Sequence, residues 1–532
     1  MNVCTLYVAP FALDFYRDTE YWNEFFIMKP LDEPVKNIYV KRPMSFDLLS
    51  EDNAVLQGNP NMTLTFGYDN RTYTNTVGQL SATGDGTLSA GIFWIDHSVT
   101  RRDNNYNDYR PSLVNNAENM RADSVLCTMH LEKNYWHFIS FQYDVQMKDI
   151  FGANGTDFVI RKYNGQNRAT GDGSVSNWEN VPADGVLEAG KGYIIQAANN
   201  LSDESGNSYN ATVCFPSRNT VTKNKLFTSN NIIVPLEEFV SEFAHNRSWN
   251  LVGNPYPCYY DMHALQEDFY TPITLWRGRS YQAYSPIDDD IILRPNEAFF
   301  VQRPLDAEQM VFGAEGRMHY DAAMASEANP GAKAPALEAS ISGRSVFNFT
   351  VSGNGSDDRA RIVMNDAARM DYELNRDASK FFAETAMGTE VFVSGDVNYA
   401  ICERPLGEGL AKLGMRLAQG GEYTISLDGR NINGWTVILT DTETGATVNL
   451  CESAYSFDAE AGMNPDRFLL TFINPGTSID EVNAADNSLF GQVYDASGMK
   501  VFEGEISEFK ASAEAGIYIV VCNGKASKIL IK

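Results

Sequence analysis

Cysteine and histidine are scarce in this chain of 532 residues, and their arrangement argues against zinc and redox sites. The seven cysteines are scattered, so no two form a C-x-x-C pair, and an odd, widely spaced set argues against a disulfide framework. The spacings leave open whether individual cysteines pair with one another. None of the six histidines has a partner at the spacing that metal ligands take on a helix.

The motifs of familiar enzyme classes are also absent. The chain has no G-x-S-x-G elbow, no Walker loop and no H-E-x-x-H helix. In GDGTLSAG (84–91), Ser89 stands where the dinucleotide-binding pattern needs a third glycine, so we predict a turn there. We predict no catalytic residue, and these absences favour a non-enzymatic protein.

Positive charge and long apolar runs are in short supply as well. Lys and Arg number 42 against 69 Asp and Glu, which gives a formal net charge of −27. Nucleic acids and anionic membrane surfaces attract basic proteins, so neither is an expected partner. No apolar run is long enough to cross a bilayer, and we therefore predict no membrane-spanning helix.

Strand-like runs recur along the chain between Gly, Asn, Asp and Pro residues, whereas helix signals are few. Examples from the first 133 residues are MTLTFGYD, GQLSATGDGTLSAGIFWID and SVLCTMHLEK. This is the pattern of an all-β protein, and the length suffices for several domains. We predict a multi-domain, all-β chain of β-sandwich modules, immunoglobulin-like or jelly-roll-like, that follow a β-rich N-terminal region (1–133).

An internal repeat occupies the middle of the chain. WHFISFQYDVQMKDI begins at Trp136 and WNLVGNPYPCYYDMHAL begins at Trp249, and the two segments end in the matching phrases LEAGKGYIIQ and LRPNEAFFVQ. The period of about 110 residues is far longer than that of solenoid repeats. We therefore predict two related β-modules, 134–232 and 233–312, or two halves of one larger β-domain.

The remainder of the chain divides by composition and strand spacing. Seven or more strand-like runs follow an Ala-, Gly- and Pro-rich stretch, and a short helical candidate lies among them at 377–386. In the same block Arg359 and Arg361 alternate with apolar residues, as in a strand with one face in water. The predicted segments are a linker (313–340), a β-sandwich (341–474), a second linker (475–487) and a small C-terminal β-sandwich (488–532).

Aromatic residues beside an acidic loop give the sharpest hypothesis for ligand binding. Trp276, Tyr281 and Tyr284 are candidates to stack on sugar rings, although we favour the alternative that they fill a sandwich core or form cross-strand pairs. The oxygen-rich loop Asp288–Asp290 is a candidate calcium site. It lacks the D-x-D-x-D-G spacing of a calcium loop, which favours a solvated loop instead. No other cofactor is predicted.

The last residues predict two hairpins. LFGQVYD and MKVFEG flank a turn at 496–498, and IYIVVC and KASKILIK flank Asn523-Gly524, which suits a type I′ turn. VYDASGMKV followed by AGIYIVVCNGKASKILIK resembles the C-terminal sorting domain of Bacteroidetes-type type IX secretion. The residues that carry this resemblance are Tyr494, Gly498, Val501, Gly516, Ile517, Tyr518 and Lys532.

The resemblance implies export across the outer membrane of a Gram-negative bacterium, then cleavage of the tail and anchoring or release. The type IX secretion machinery would be the partner, and the protein would be secreted or lie on the outer cell surface. Residues 249–302 and 341–474 are more weakly similar to segments of large surface proteins with the same tail. The start of the chain lacks the basic region of a signal peptide, so we expect a longer precursor.

Two functional hypotheses follow. The first is a non-enzymatic, acidic surface protein whose role is adhesion, structure or ligand display. The second is a carbohydrate-binding or carbohydrate-active protein with its site in residues 1–302, for which a glycan or another surface ligand would be a further partner.

Overall fold

A computed structural model describes most of the chain. The described residues are 5–8, 27–30, 37–40, 43–47, 59–66, 78–85, 87–97, 110–199, 211–217, 226–266, 269–319, 343–405, 409–474, 490–495, 499–513, 516–522 and 525–531. Strands dominate these residues, which confirms the predicted all-β class. The two α-helices among them are short: α1 (Gly165–Thr170) and α2 (Ile506–Ser512).

The N-terminal strands pair in parallel and in sequence order. They are β1 (Thr5–Val8), β2 (Ile27–Pro30), β3 (Asn37–Val40), β4 (Pro43–Asp47), β5 (Asn59–Phe66), β6 (Gln79–Thr83), β7 (Thr87–His97), β8 (Ser112–Asn115) and β9 (Asn119–Leu131). β1 pairs with β2, one sheet takes β3, β5, β7 and β9, and another takes β4, β6 and β8. Each winding of the chain thus adds one strand to each of the last two sheets, and we call β3–β9 the parallel coil.

Apolar side chains stack from one winding of the parallel coil to the next. On β7 and β9, Leu88 pairs with Met120, and Phe93 pairs with Val125, and all four are buried. Because parallel strands in this register place equivalent side chains beside each other, the stacks form a continuous core. That core continues into the first repeat module.

The first module comprises β10 (Trp136–Ser140), β11 (Val145–Gln146), β12 (Phe151–Gly152), β13 (Thr156–Tyr163), β14 (Trp178–Asn180), β15 (Val186–Leu187), β16 (Gly192–Asn199) and β17 (Ala211–Ser217). β17 pairs antiparallel with β9, so this module closes the end of the coil sheet. β18 (Ile232–Pro235) follows. The second module comprises β19 (Trp249–Gly253), β20 (Tyr259–Asp261), β21 (Leu265–Gln266), β22 (Ile273–Trp276), β23 (Tyr281–Tyr284), β24 (Ile292–Leu293), β25 (Ala298–Gln302), β26 (Gln309–Phe312) and β27 (Arg317–Met318).

Both modules follow one pairing scheme. The strand order β10-β16-β13-β14 in the first sheet matches β19-β25-β22-β23 in the second, and the shorter pairs β11-β15 and β12-β17 match β20-β24 and β21-β26. Even the register agrees, since Trp136 pairs with Gln196 and Trp249 pairs with Gln302. The repeated phrases in the sequence therefore occupy equivalent strands.

The two modules pack closely against each other. Phe138 of β10 lies with its ring centroid 6.1 Å from that of Trp276, and 5.8 Å from that of Phe300. A Cβ atom on Gly253 would lie only 2.0 Å from the Cβ of Ser140. The backbone of β19 can therefore approach β10 this closely because residue 253 has no side chain. We call the shared set of rings the aromatic core; its buried members are Trp249, Tyr281, Phe300 and Phe381.

Residues 343–474 form one eleven-stranded sheet. Its strands are β28 (Ser345–Gly353), β29 (Ser356–Met364), β30 (Ala378–Ser379), β31 (Thr389–Ser394), β32 (Tyr399–Arg404), β33 (Leu410–Leu417), β34 (Gly421–Arg430), β35 (Thr436–Asp441), β36 (Thr447–Asn449), β37 (Tyr455–Ala459) and β38 (Gly462–Ile473). Phe347 of β28 contacts Phe472 of β38, with 5.0 Å between ring centroids, although several strands separate β28 from β38 in the sheet order. The sheet therefore curls around one core, and we call it the curled sheet.

The helix predicted at 377–386 is absent, and the described chain there includes strand β30. Lys380 and Phe381 show why, since Phe381 joins the aromatic core while the Lys380 ammonium is buried against Asp358 of β29. Adjacent side chains with different buried partners suit an extended segment better than a helix.

The C-terminal segment has a small core of its own. β39 (Phe490–Tyr494), β40 (Lys500–Glu505), β41 (Gly516–Cys522) and β42 (Lys525–Ile531) form a sheet of order β40-β39-β41-β42, and both predicted hairpins are present. α2 covers one face, where its Ile506 and Phe509 pack with Val493 and Val520. In the parts of the chain that the structure describes, no helix is long and apolar enough to cross a membrane.

Candidate functional site

The acidic loop after β23 meets a group of arginines from the curled sheet. Asp288 has a side chain only 1% exposed, and both of its oxygens accept hydrogen bonds from Arg344, at 2.9 and 3.0 Å. Arg430, at the end of β34, donates a further hydrogen bond to Asp288. The carboxylate therefore joins the second module to two separate strand ends of the curled sheet.

Asp289 is held in the same way from β29. Arg361 donates to both of its oxygens, at 2.6 and 2.7 Å, and Arg359 donates at 3.1 Å. Burial would raise the pKa of Asp289, but Arg361 and Arg359 outweigh it and hold the pKa at about 2. Asp289 is therefore an anion at neutral pH, bound in the bidentate geometry that makes Arg–carboxylate pairs strong.

A third carboxylate extends the network into the curled sheet. Glu403 accepts hydrogen bonds from Arg344 at 2.8 Å, from Arg376 at 2.9 Å and from Asn365. Its side chain is 4% exposed, whereas that of Arg376 is 29% exposed. The network thus runs from a buried interior to a partly open edge. We call the residues Asp288, Asp289, Arg344, Arg359, Arg361, Arg376, Glu403 and Arg430 the arginine–carboxylate network.

A cleft of about 640 Å³ opens at that edge, between the second module and the curled sheet. Amide and phenol side chains line it together with the charged network. Among them are Tyr270, Gln309, Asn365, Asn375 and Arg376. A concave site where two folded units meet, with convergent polar groups, is the usual setting for a polar ligand.

The three aromatic candidates lie close to this interface but not in the cleft lining. Trp276 and Tyr281 belong to the aromatic core, where their ring centroids are 4.8 Å apart, and Trp276 donates a hydrogen bond to the carbonyl of Trp136. Tyr284 lies between the guanidinium groups of Arg277 and Arg359, at 5.5 and 5.3 Å from its ring centre. Trp276 and Tyr281 thus pack among other rings, and Tyr284 packs between two guanidinium groups.

The acidic loop does not fit calcium. Arginines already take both oxygens of Asp288 and of Asp289, and a dication would be placed among positive charges. Asp290, the exposed member, lies 3.7 Å from His263. Within the described residues, no group of three or more His, Cys, Asp or Glu side chains is arranged to hold a metal ion.

The motif residues of the tail fall on its strands and turns. Tyr494 ends β39, Val501 lies on β40 with 44% of its surface exposed, and Gly516, Ile517 and Tyr518 open β41. Gly498 and Lys532 lie outside the described residues. Tyr518 packs edge-on against Phe509 of α2, at 4.8 Å between ring centroids.

Sequence reasoning gave no site role to the arginines of the network. The expected wet face of β29 is wrong for Arg361, because its side chain is 2% exposed and is covered by Asp289 of the second module. Strand alternation identifies which side chains share a face, but it cannot tell whether water or another module covers that face. The dense acidic loop was the one available signal.

Comparisons with known proteins add little to this picture. No protein-family model matches the chain, and no curated protein matches it. One solved structure with a partial likeness is the cryo-EM structure of the arabinofuranosyltransferase AftD from Mycobacteria, at 12% identity and a TM-score of 0.10. The aligned part covers 66% of this chain and 26% of that chain, so this chain spans about a quarter of its length. A likeness at this TM-score carries no argument about fold or activity.

Proposed function

We propose that this chain is a non-enzymatic β-protein, exported to the cell surface or secreted, that works in adhesion, structure or ligand display. Its C-terminal residues 488–532 would direct type IX secretion and surface anchoring. The proposal starts from the sequence resemblance of the tail. The β-modules upstream pack against one another, which suits an exported protein that must stay folded outside the cell.

The observation that best supports a sorting role is the self-contained core of the tail. The residues of that core all come from the C-terminal segment itself, with Val493, Ile506, Phe509 and Val520 as the buried set. A domain with its own core can be recognised, and later removed, without opening the core of the cargo.

A reporter fusion tests the sorting role directly. We expect a reporter with an N-terminal signal peptide and residues 488–532 at its C-terminus to reach the medium or the outer surface of a host with a working type IX system. The same reporter should stay inside a host that lacks the system, and so should a reporter with residues 488–515 alone, because that tail lacks β41 and β42. Retention of the full-tail fusion in the competent host would overturn the proposal.

A second candidate function, carbohydrate binding, is favoured by the cleft between the second module and the curled sheet. Its Tyr270, Gln309, Asn365, Asn375 and Arg376 are the kinds of side chains that hydrogen-bond to sugar hydroxyl groups. Glycan-array binding by the full chain should fall at least about tenfold in Arg376→Ala if the cleft is used. Arg369→Ala is the matched control, because that arginine is 79% exposed and does not line the cleft. Absence of binding to any glycan, or equal loss in both variants, would exclude this candidate.

A further inference from the structure

A lysine and an aspartate form a fully enclosed pair inside the curled sheet. The side chains of Lys380 and Asp358 are both 0% exposed, and the Lys380 Nζ donates a hydrogen bond to Asp358 Oδ2. The Nζ also donates to the carbonyl oxygen of Tyr281, at 2.7 Å. The backbone N–H of Val391 donates to the same Asp358 Oδ2, at 2.7 Å. The pair therefore has a fixed geometry and no contact with water.

The other oxygen of the carboxylate is unsatisfied. Asp358 Oδ1 is buried and has no hydrogen-bond partner among the described residues. An orphaned buried acceptor costs about 1–3 kcal/mol, and a charged one costs more. Burial raises the pKa of Asp358 although the Lys380 ammonium opposes it, so the site favours the uncharged acid more than water does.

We propose that Lys380 and Asp358 are joined by an intramolecular amide bond. A proton passes from the ammonium to the carboxylate, which leaves a neutral amine beside a carboxylic acid. The nitrogen lone pair attacks Cγ, the Nζ–Cγ bond forms and the Cγ–Oδ1 bond breaks. The transferred proton is first taken up by Oδ2, the oxygen that Nζ contacts, and in the tetrahedral adduct it passes to Oδ1 together with a second proton from Nζ, so that Oδ1 leaves as water. The step is a condensation and needs no oxidant or cofactor.

The surroundings match the product better than the ion pair. In the amide, Oδ2 remains as the carbonyl oxygen and keeps the hydrogen bond from Val391, while the single N–H keeps its hydrogen bond to the Tyr281 carbonyl. The atom that leaves is Oδ1, the one without a partner. Enclosure holds amine and acid together at high effective concentration, which is how positioning promotes such a reaction.

The bond would tie two parts of the fold together. Asp358 lies on β29 beside the network arginine Arg359, and Lys380 precedes Phe381, which packs in the aromatic core at 4.7 Å from Phe300. A covalent link would therefore hold the segment that carries Phe381 against the curled sheet, whatever function the protein performs.

Mass spectrometry of the folded, full-length protein tests the proposal. We expect the denatured chain to be lighter than its sequence by the mass of one water. After trypsin, the peptide of residues 345–359 should be found joined to that of residues 377–412, because a lysine in an amide is not cleaved and the Arg404–Pro405 bond resists trypsin. Fragmentation should place the link on Asp358 and Lys380.

Lys380→Met is the control, since it keeps the length of the side chain and removes the amine. Its mass should equal that of its sequence, and the joined peptide should be absent. The wild-type digest decides the matter even if this variant folds poorly. If residues 345–359 appear only as a free peptide, or if the lost water maps to other residues, the amide bond is not formed.

Discussion

Asp377 shows how one buried carboxyl group makes the stability of this protein depend on pH. Its side chain accepts hydrogen bonds from the backbone N–H groups of Glu373 and Glu403. Burial is the main cause that raises its pKa to about 7, and the nearby carboxylates of Glu403 and Glu373 add to the rise. The folded protein therefore keeps a proton that the unfolded chain releases near pH 3.8.

The free energy of unfolding should fall as pH rises through this window, because the folded state binds the extra proton only below pH about 7. Between pH 5 and pH 8 we expect Asp377 to cost the wild type ~2–3 kcal/mol. Asp377→Asn should not show this loss. The free energy of unfolding of the variant, measured with urea, should therefore rise relative to that of the wild type as pH increases. Parallel pH profiles for the two proteins would contradict the assignment. The variant must be compared with the wild type because His319 also makes stability depend on pH. Burial lowers the pKa of His319 to about 4, so this residue makes the folded protein less stable as pH falls.

Asp289 and Asp290 are neighbours, but we expect their replacement to destabilise the fold by different amounts. Asp289→Ala removes the bidentate partner of Arg361 and leaves that buried guanidinium with Asp288 at 3.8 Å. Breaking a buried pair in this way costs about 3–5 kcal/mol. Asp290→Ala removes a half-exposed carboxylate and should cost under about 1 kcal/mol. Chemical unfolding of both variants at pH 7 gives the comparison. Similar losses in both would show that the bidentate pair contributes no more than an exposed charge.

At the scale of single elements, α2 is a helix that sequence patterns did not predict. EISEFKAS is too short to show a helical period, and its neighbours are strands, so local patterns do not indicate a helix there. The helix forms because Ile506 and Phe509 fill the open face of the four-stranded sheet. Tertiary burial, which local patterns do not record, decides its conformation.

Phe509→Ala should destabilise the C-terminal segment alone. Loss of a buried phenylalanine costs about 3–5 kcal/mol, which is a large part of what so small a core can supply. Hydrogen exchange of the amides of β39–β42 should accelerate, while those of the curled sheet stay protected. Glu508→Ala is the control, since this side chain is exposed on the same helix. Equal acceleration in both variants would mean that Phe509 is not the centre of this core.

The parallel coil is the other element that the sequence did not reveal. Strands were expected in the first 133 residues, but their parallel stacking was not. The register offset between paired strands is 26 residues for β3 and β5 and 32 for β7 and β9, because Asn37 pairs with Thr63 and Thr87 with Asn119. Because the windings differ in length, the sequence shows no fixed repeat period, although buried apolar side chains stack from one winding to the next.

At the scale of the whole molecule, the repeat modules and the curled sheet should unfold together. The aromatic core takes rings from both modules and takes Phe381 from the curled sheet, and the arginine–carboxylate network crosses the same boundary. The repeat itself was visible in the sequence, because each copy keeps its Trp and its final phrase. The contact between copies was not visible, because it depends on surfaces that meet only after folding.

Gly253→Ala tests this shared core. Its new Cβ would lie 2.0 Å from the Cβ of Ser140, so the two modules must move apart. We expect a loss of about 1–3 kcal/mol and one calorimetric transition that shifts as a unit. Gly173→Ala is the matched control, since no atom lies within 4 Å of the added Cβ and the midpoint should not change. A variant in which one module melts separately would show that the modules are independent.

The parallel coil and the cleft occupy different parts of the molecule. Among the described strands, each winding pairs with the windings next to it, and the first module closes one end through β17. A gain or loss of one winding would change the length of the coil by one strand spacing, about 4.8 Å, and would leave the closing module untouched. Duplication or deletion of a short stretch of gene could therefore adjust how far the molecule extends, one step at a time, without any need to rebuild the part that holds the cleft.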